Sequence, residues 1–252
     1  MKPDPKTRFS NRVENYIKYR PHYPDEMITY LKEQKILTDT AIIADIGSGT
    51  GISSEPFLKN DNTVYGVEPN KEMRGAAERL LAGHDNFKSI NGSAEETSLE
   101  SGSIDLIIAG QAFHWFDIPK AKTEFKRIIK PGGFAALIWN IKNSKDSPFM
   151  RDYEKLLLKH STDYAEIRHE NVGEKEFKIL FDNGYTTKFF DNEQVMDYEG
   201  LKGRILSASY IPAEGEPGFD SMIDDIKLIF NKHQQNGLVK IVYIAEVIWG
   251  KI

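Results

Sequence analysis

Ala41-Ile-Ile-Ala-Asp-Ile-Gly-Ser-Gly-Thr-Gly51 is an apolar run that ends in an acid, breaks into alternating glycines and leads into a helix. Residues 41–46 read as a buried strand with Asp45 near its carboxyl end, and Gly47, Gly49 and Gly51 form the turn. Glycines there let the backbone take positive φ and let a ligand approach it closely. The helix that follows offers unpaired N–H groups at its start. The spacing is G-x-G-x-G, not the dinucleotide pattern G-x-G-x-x-G, whose third glycine would fall at Ile52. No P-loop lysine follows. An acid two residues before the first glycine repels a pyrophosphate and suits a ligand that is cationic at that end.

Working outward, Glu68 ends a second strand about twenty residues on, where a carboxylate can accept both hydroxyls of a ribose and excludes a 2′-phosphate. The same Glu68 can also be read as a helix-start charge before Asn70. From Asn70 the apolar positions Met73, Ala76, Ala77, Leu80 and Leu81 follow helical spacing. Further strands are expected at 63–67, 86–90, 104–109 and 134–139, with a helical region at 56–59 and a helix at 119–130. Near-continuous apolar strands alternating with helices predict a doubly wound α/β sheet. Beyond Trp139 the pattern changes. Residues 148–184 read as two helices, 187–196 as a strand, 207–218 as a loop beside the mouth of the sheet, and 219–230 as an amphipathic helix. Residues 238–249 read as a β-rich segment able to pair antiparallel with the strand before it.

The glycine motif, Glu68-Pro69, Gly92-Ser-Ala-Glu95, residues 105–116 and Pro131-Gly-Gly133 occur in the order and spacing of class I S-adenosylmethionine-dependent methyltransferases, which the chain resembles. It is similar in particular to the trans-aconitate methyltransferase-like, small-molecule branch. That likeness rests on Phe9, the Tyr-x-x-Tyr-Arg-Pro-x-Tyr-Pro run at 16–24, Gln-Ala-x-His-Trp-Phe at 111–116, and the segment 200–212. The resemblance implies a Rossmann-like, mostly parallel seven-stranded sheet with the last strand antiparallel, plus helical lid elements. It implies one methyltransferase domain over 1–252, with N-terminal lid helices at 1–35, a cofactor-binding core at 36–139, and acceptor-side insertions and closing strands at 140–252.

The resemblance also implies site residues. Gly47, Ser48, Gly49 and Gly51 approach the methionyl part and ribose, Asp45 supports the amino end, and Glu68 holds the ribose. Pro69 and Met73 flank the adenine, with Met73 equally readable as core. Ser93, Ala94 and Glu95 meet the adenine edge. Many relatives carry Asp where Ser93 stands, so Glu95 is either the adenine partner or a helix-start acid. Gln111 and Ala112 complete the cofactor set, together with Tyr19 and Arg20 from the N-terminal segment. Arg20 suits the cofactor carboxylate, with a substrate carboxylate as the rival. Tyr16, His114, Trp115, Arg204 and Tyr210 are expected against the acceptor, and His114 is the candidate base if the acceptor arrives protonated. Segments 16–23 and 204–212 are expected to meet over the 111–115 edge, with Tyr16, Tyr19, Arg20 and Tyr210 facing the site.

Composition narrows the partners. The formal charge is −5, with 33 basic residues scattered among 38 acidic ones, unlike a polyanion-binding enzyme. The chain has no cysteine, which removes disulfides, cysteine-ligated zinc and any thiolate nucleophile. Gly110-Gln-Ala-Phe113 stands where enzymes that methylate exocyclic base amines carry Asp/Asn-Pro-Pro-Tyr/Phe. No metal-ligand cluster, secretory h-region or membrane span is visible. The expectation is a cytoplasmic enzyme, monomer or homodimer, that uses S-adenosylmethionine on a small-molecule carboxylate or hydroxyl, with no bound metal, nucleic acid or membrane. A tRNA or protein methyltransferase, an aminopropyl transferase and a non-catalytic S-adenosylmethionine-binding module remain as alternatives.

Overall fold

The computed structural model describes residues 13–162, 164 and 172–252. Phe9 and the beginning of the expected lid lie outside the described residues. Two helices, α1 (Val13–Tyr19) and α2 (Glu26–Glu33), precede the βαβ alternation. The core then runs β1 (Ile42–Ile46), α3 (Glu55–Lys59), β2 (Thr63–Val67), α4 (Lys71–Leu80), β3 (Phe87–Ile90), β4 (Ile104–Gly110), α5 (Ile118–Ile128) and β5 (Ile129–Lys142). The remaining elements are α6 (Pro148–His160), α7 (Glu174–Leu180), β6 (Tyr185–Met196), α8 (Tyr198–Leu206), α9 (Phe219–His233) and β7 (Val239–Gly250).

The strands form a seven-stranded sheet in the order β3-β2-β1-β4-β5-β7-β6. β1 to β5 are parallel, and β7 inserts antiparallel between β5 and β6. This is the expected mostly parallel sheet with its last strand reversed. The central strands are apolar on both faces because helices cover both. One buried cluster gathers Ile46, Phe113, Phe125 and Trp139, and another gathers Met27, Leu31, Phe57 and Ile138. A third, built from Met150, Leu157, Ile205, Met222 and Tyr243, belongs to the segments after β5.

Helix starts are set by side-chain caps: Asn70 accepts from the Met73 N–H, and Ser147 and Asp197 cap α6 and α8 in the same way. The order reverses around β1, whose neighbours β2 and β4 are reached in opposite directions. In such a sheet a crevice opens at the carboxyl ends of the strands on either side of that point. The glycine turn and the segment after β4 both sit there.

Two departures from the expected elements bear on the site. β5 continues past Trp139 to Lys142, adding Asn140 and Lys142 to the carboxyl edge. Helix α8 forms over Tyr198–Leu206, a stretch for which no element is expected from the sequence, just ahead of the expected loop at 207–218.

Candidate active site

The turn after β1 takes the predicted backbone, with φ of +71° at Gly47, +56° at Gly49 and +87° at Gly51. A Cβ on Gly47 would stand 2.7 Å from the Ala112 Cβ, and one on Gly51 would stand 2.5 Å from Leu81 Cδ1. Those two glycines are required by protein packing. At Gly49 a Cβ would meet only Met73 Cε, at 3.3 Å, which leaves the backbone open towards a ligand. Ala112 is therefore a buried wall behind Gly47, and Met73 a buried floor beneath Gly49.

Asp45 braces this turn from behind. It is fully buried, and its Oδ2 accepts from the hydroxyls of Ser53 and Ser54 at 2.7 and 2.6 Å. Its Oδ1 is buried with no partner, and burial pushes its pKa up to about 6. Glu68, buried at the end of β2, accepts the Gly49 N–H at 2.9 Å on one oxygen and the Asn70 N–H at 2.8 Å on the other. Its carboxyl is shifted upward by burial, against the pull of these two backbone donors. It thus joins the glycine turn to the start of α4, and each oxygen keeps a second lone pair for a ligand hydroxyl.

Pro69 is half-buried next to Glu68, Ser93 is half-buried, and Ala94 is buried. Glu95 is half-buried and accepts the N–H of Asp117, the N-cap of α5, at 2.9 Å.

The carboxyl edge holds a cavity of about 180 Å³. It is lined by Gly47, Ser48 and Gly49 of the turn, by Gln111, His114 and Trp115 after β4, and by Tyr16, Arg20, Arg204 and Tyr210 from the two segments outside the core. Gln111 has a φ of +57°, uncommon for a residue with a side chain and a frequent mark of a functional site. Its amide donates to the Asn140 carbonyl at 3.2 Å. The His114 and Trp115 rings lie 4.7 Å apart. The Arg20 guanidinium stacks on the Tyr16 ring at 4.5 Å and donates to the Ser207 carbonyl at 3.1 Å.

The two distant segments do meet over the 111–115 edge, with Tyr16, Arg20 and Tyr210 lining the cavity. Tyr19 does not. Its ring packs on Gly203, so closely that a Cβ there would lie 2.0 Å from it, and it borders a separate open depression with Gln194 and Met196. The i, i+3, i+4 spacing puts Tyr16, Tyr19 and Arg20 on one broad face; Tyr16 and Arg20 reach the cavity from it, while Tyr19 packs on α8 at Gly203.

The cavity also contains residues that the sequence reading passed over: Tyr23, Asn140, Lys142, Glu154, Tyr164 and Ser209. Asn140 and Lys142 were within reach of the rule that ligands gather at strand carboxyl ends, had β5 been extended far enough. Glu154 and Tyr164 carry no such signal, since Glu154 is placed by the packing of α6 and Tyr164 by its contacts with Glu154 and the Tyr210 ring.

Residues 44–137 match a family model described as a methyltransferase domain. An uncharacterized methyltransferase of Schizosaccharomyces pombe is 31% identical over 225 residues, covering 86% of each chain. A methyltransferase-like protein of the same yeast is 29% identical over 93% of this chain and 91% of its own. Among solved structures, a candidate type II methyltransferase of Anaeromyxobacter dehalogenans superposes with a TM-score of 0.70 at 20% identity, covering 92% of this chain and 98% of that one.

Proposed function

This chain belongs to the class I S-adenosylmethionine-dependent methyltransferases, and on that premise we propose that its acceptor is a small molecule held in the cavity over the 111–115 edge. The observation that carries this reading is the lining. Tyr16 and Arg20 from the N-terminal segment, and Arg204 and Tyr210 from the segment after β6, share a cavity of about 180 Å³ with the glycine turn and residues 111, 114 and 115. A concave pocket of that size suits a small acceptor better than a folded RNA or protein surface.

The residues of the turn fit S-adenosylmethionine. Gly49 has open backbone where a side chain would obstruct. Glu68 has acceptor capacity left for ribose hydroxyls, and Ser48 and Gly47 line the cavity. Arg20 would hold the carboxylate of the amino-acid end, supported by its buried Nε, which has no partner. Bound there, the cofactor supplies a methyl group already activated by its positive sulfur. The chain's own task is to align the acceptor and keep water out. Tyr16 and Trp115 provide aromatic walls for that, and Gln111 is held in a fixed orientation by Asn140. His114 takes a proton from the acceptor when that group is a hydroxyl, and a carboxylate acceptor needs no base.

Membership of the trans-aconitate methyltransferase-like branch is part of the same proposal. It is supported by the fact that three of that branch's motifs contribute Tyr16, Arg20, Gln111, His114 and Arg204 to one cavity. The test is a screen of carboxylic acids, phenols and amines with methyl-labelled S-adenosylmethionine, run beside total tRNA and a denatured protein extract. Label entering a small organic molecule supports the reading. Label entering only RNA or protein overturns it.

A further inference from the structure

The chain between α1 and α2 is pinned at several points. Arg20 donates to the Ser207 carbonyl at 3.1 Å. The His22 carbonyl accepts from the side-chain amides of Asn140 on β5 and Asn192 on β6, at 3.2 and 2.8 Å. The His22 ring nitrogen Nδ1 lies 2.9 Å from a Glu55 oxygen at the start of α3. Held in this way, the segment carries Tyr23 to the cavity with only 7% of its surface exposed.

The Tyr23 hydroxyl reaches the ends of β1 and β4. A Cβ on Gly110, the last residue of β4, would stand 2.9 Å from that oxygen and 2.6 Å from the Ser53 Cβ, so only glycine fits there. Ser53 in turn donates to Asp45 on β1. Among the described residues the Tyr23 hydroxyl makes no hydrogen bond. Shielded polar groups are costly without a partner, so a hydroxyl left free at the lining of a cavity is one that a ligand completes.

Its surroundings define the ligand group. Burial, then Tyr16 and Asp45, push the Tyr23 phenol well above its usual range, and Arg20 acts against them. The phenol is therefore a neutral hydroxyl within electrostatic reach of one anion and one cation. Asp45 is fully buried, and its unpartnered oxygen is buried with it. Its charge acts through space, and Tyr23 is the group at the lining that can touch. An ammonium beside a carboxylate matches this arrangement, and the methionyl end of S-adenosylmethionine carries both.

We propose, resting on the S-adenosylmethionine reading above, that Tyr23 recognises the donor: its hydroxyl accepts a hydrogen bond from the methionyl ammonium, in the field of Asp45, while Arg20 takes the carboxylate. Tyr23 thereby selects a nucleoside whose amino-acid end is intact, and it fixes the chain that leads to the sulfur. It takes no part in proton transfer.

The experiment is calorimetry on the full chain with two ligands. S-adenosylhomocysteine carries both charges at its end, and 5′-deoxy-5′-(3-carboxypropylthio)adenosine is the same molecule without the amino group. The wild-type chain is expected to prefer the first, a comparison that needs no variant. Tyr23→Phe keeps the buried ring and removes only the oxygen. It should weaken S-adenosylhomocysteine about 10- to 100-fold, the scale of a hydrogen bond to a charged group, and leave the analogue unchanged. Arg20→Gln should weaken both ligands and keep the preference, since both carry the carboxylate.

No preference in the wild-type chain, an equal loss of both ligands in Tyr23→Phe, or unchanged binding of both would each overturn the assignment. Slow turnover by Tyr23→Phe with both affinities intact would overturn it too, placing the hydroxyl at the methyl group or the acceptor. If neither ligand binds the wild-type chain, the S-adenosylmethionine reading itself fails, a result distinct from all of these.

Discussion

Asp45 carries a stability cost that pH should reveal. Burial lifts its pKa from the ordinary 3.8 to about 6 in the folded chain, so between those values the folded state binds more protons than the unfolded one. Stability is then highest below the unfolded pKa and falls as pH rises through the folded one, by on the order of 3 kcal/mol for a shift of this size. Asp45→Asn keeps an oxygen for the Ser53 and Ser54 hydroxyls and removes the charge. Its unfolding free energy should lose this slope between about pH 4 and 7, and denaturant titration across that range checks it; an unchanged slope would assign the proton elsewhere. Glu68 is linked instead to ligand. Glu68→Ala should weaken S-adenosylhomocysteine binding by about 1.5–3 kcal/mol, the scale of hydrogen bonds to a charged group. It also removes acceptors from the Gly49 and Asn70 N–H groups, so some stability loss is expected with it. Normal calorimetric affinity with lowered Tm would make Glu68 purely a helix-start acid. Gly49→Val separates the two effects further: its φ of +56° disfavours a β-branched residue by about 1–3 kcal/mol. The added side chain also stands where the backbone meets ligand, so binding should vanish while the far-ultraviolet dichroism of the sheet remains.

At the scale of elements, the legible parts were those whose signal is local. β1, β2 and β4 are near-continuous apolar runs, and α4 announces itself by the Asn70 cap and the Met73–Ala76–Ala77 stripe. The end of β5 was missed because Asn140 and Lys142 are polar residues at the solvent edge, where the backbone still pairs with β7 but hydrophobicity no longer reports it. α8 was hidden by Gly200 and Gly203, which weaken helix propensity. Gly203 is there for a contact far away in the chain, since the Tyr19 ring occupies the space of a Cβ. No reading of either segment alone could show this, and it is also why Tyr19 was expected to face the cavity and instead anchors α1 to α8. Gly203→Ala should therefore act on the cavity lining. Overpacking of this kind costs about 1–3 kcal/mol, and because α1 carries Tyr16 and Arg20, KM for the acceptor should rise more than the core loses stability. Tyr19→Ala in the same chain should relieve the clash, so the double variant should be less damaged than the sum of the singles. Additive effects would mean that the contact does not position α1.

For the whole molecule, the cavity joins parts of the structure that otherwise hold separate cores. Its lining comes partly from the turn after β1, which rests on the two clusters flanking the sheet, and partly from α8 and the segment after it, which belong to the third. A ligand that touches both should stabilise them together. A ligand at one hundred times its Kd adds about 2.7 kcal/mol to the folded state, and for a chain of this length that is a rise in Tm of about 5–10 °C. S-adenosylhomocysteine and S-adenosylmethionine should produce it. Nicotinamide dinucleotides should not, because Ile52 stands where the dinucleotide pattern needs its third glycine and the buried acids Asp45 and Glu68 lie behind and beside the turn. The shift should be smaller in Gly49→Val and, if Arg20 holds the donor carboxylate, in Arg20→Gln as well. Thermal scans with each nucleotide decide this. A clear rise with NAD and none with S-adenosylhomocysteine would assign the glycine turn to another cofactor, and with it the whole account of the cavity above.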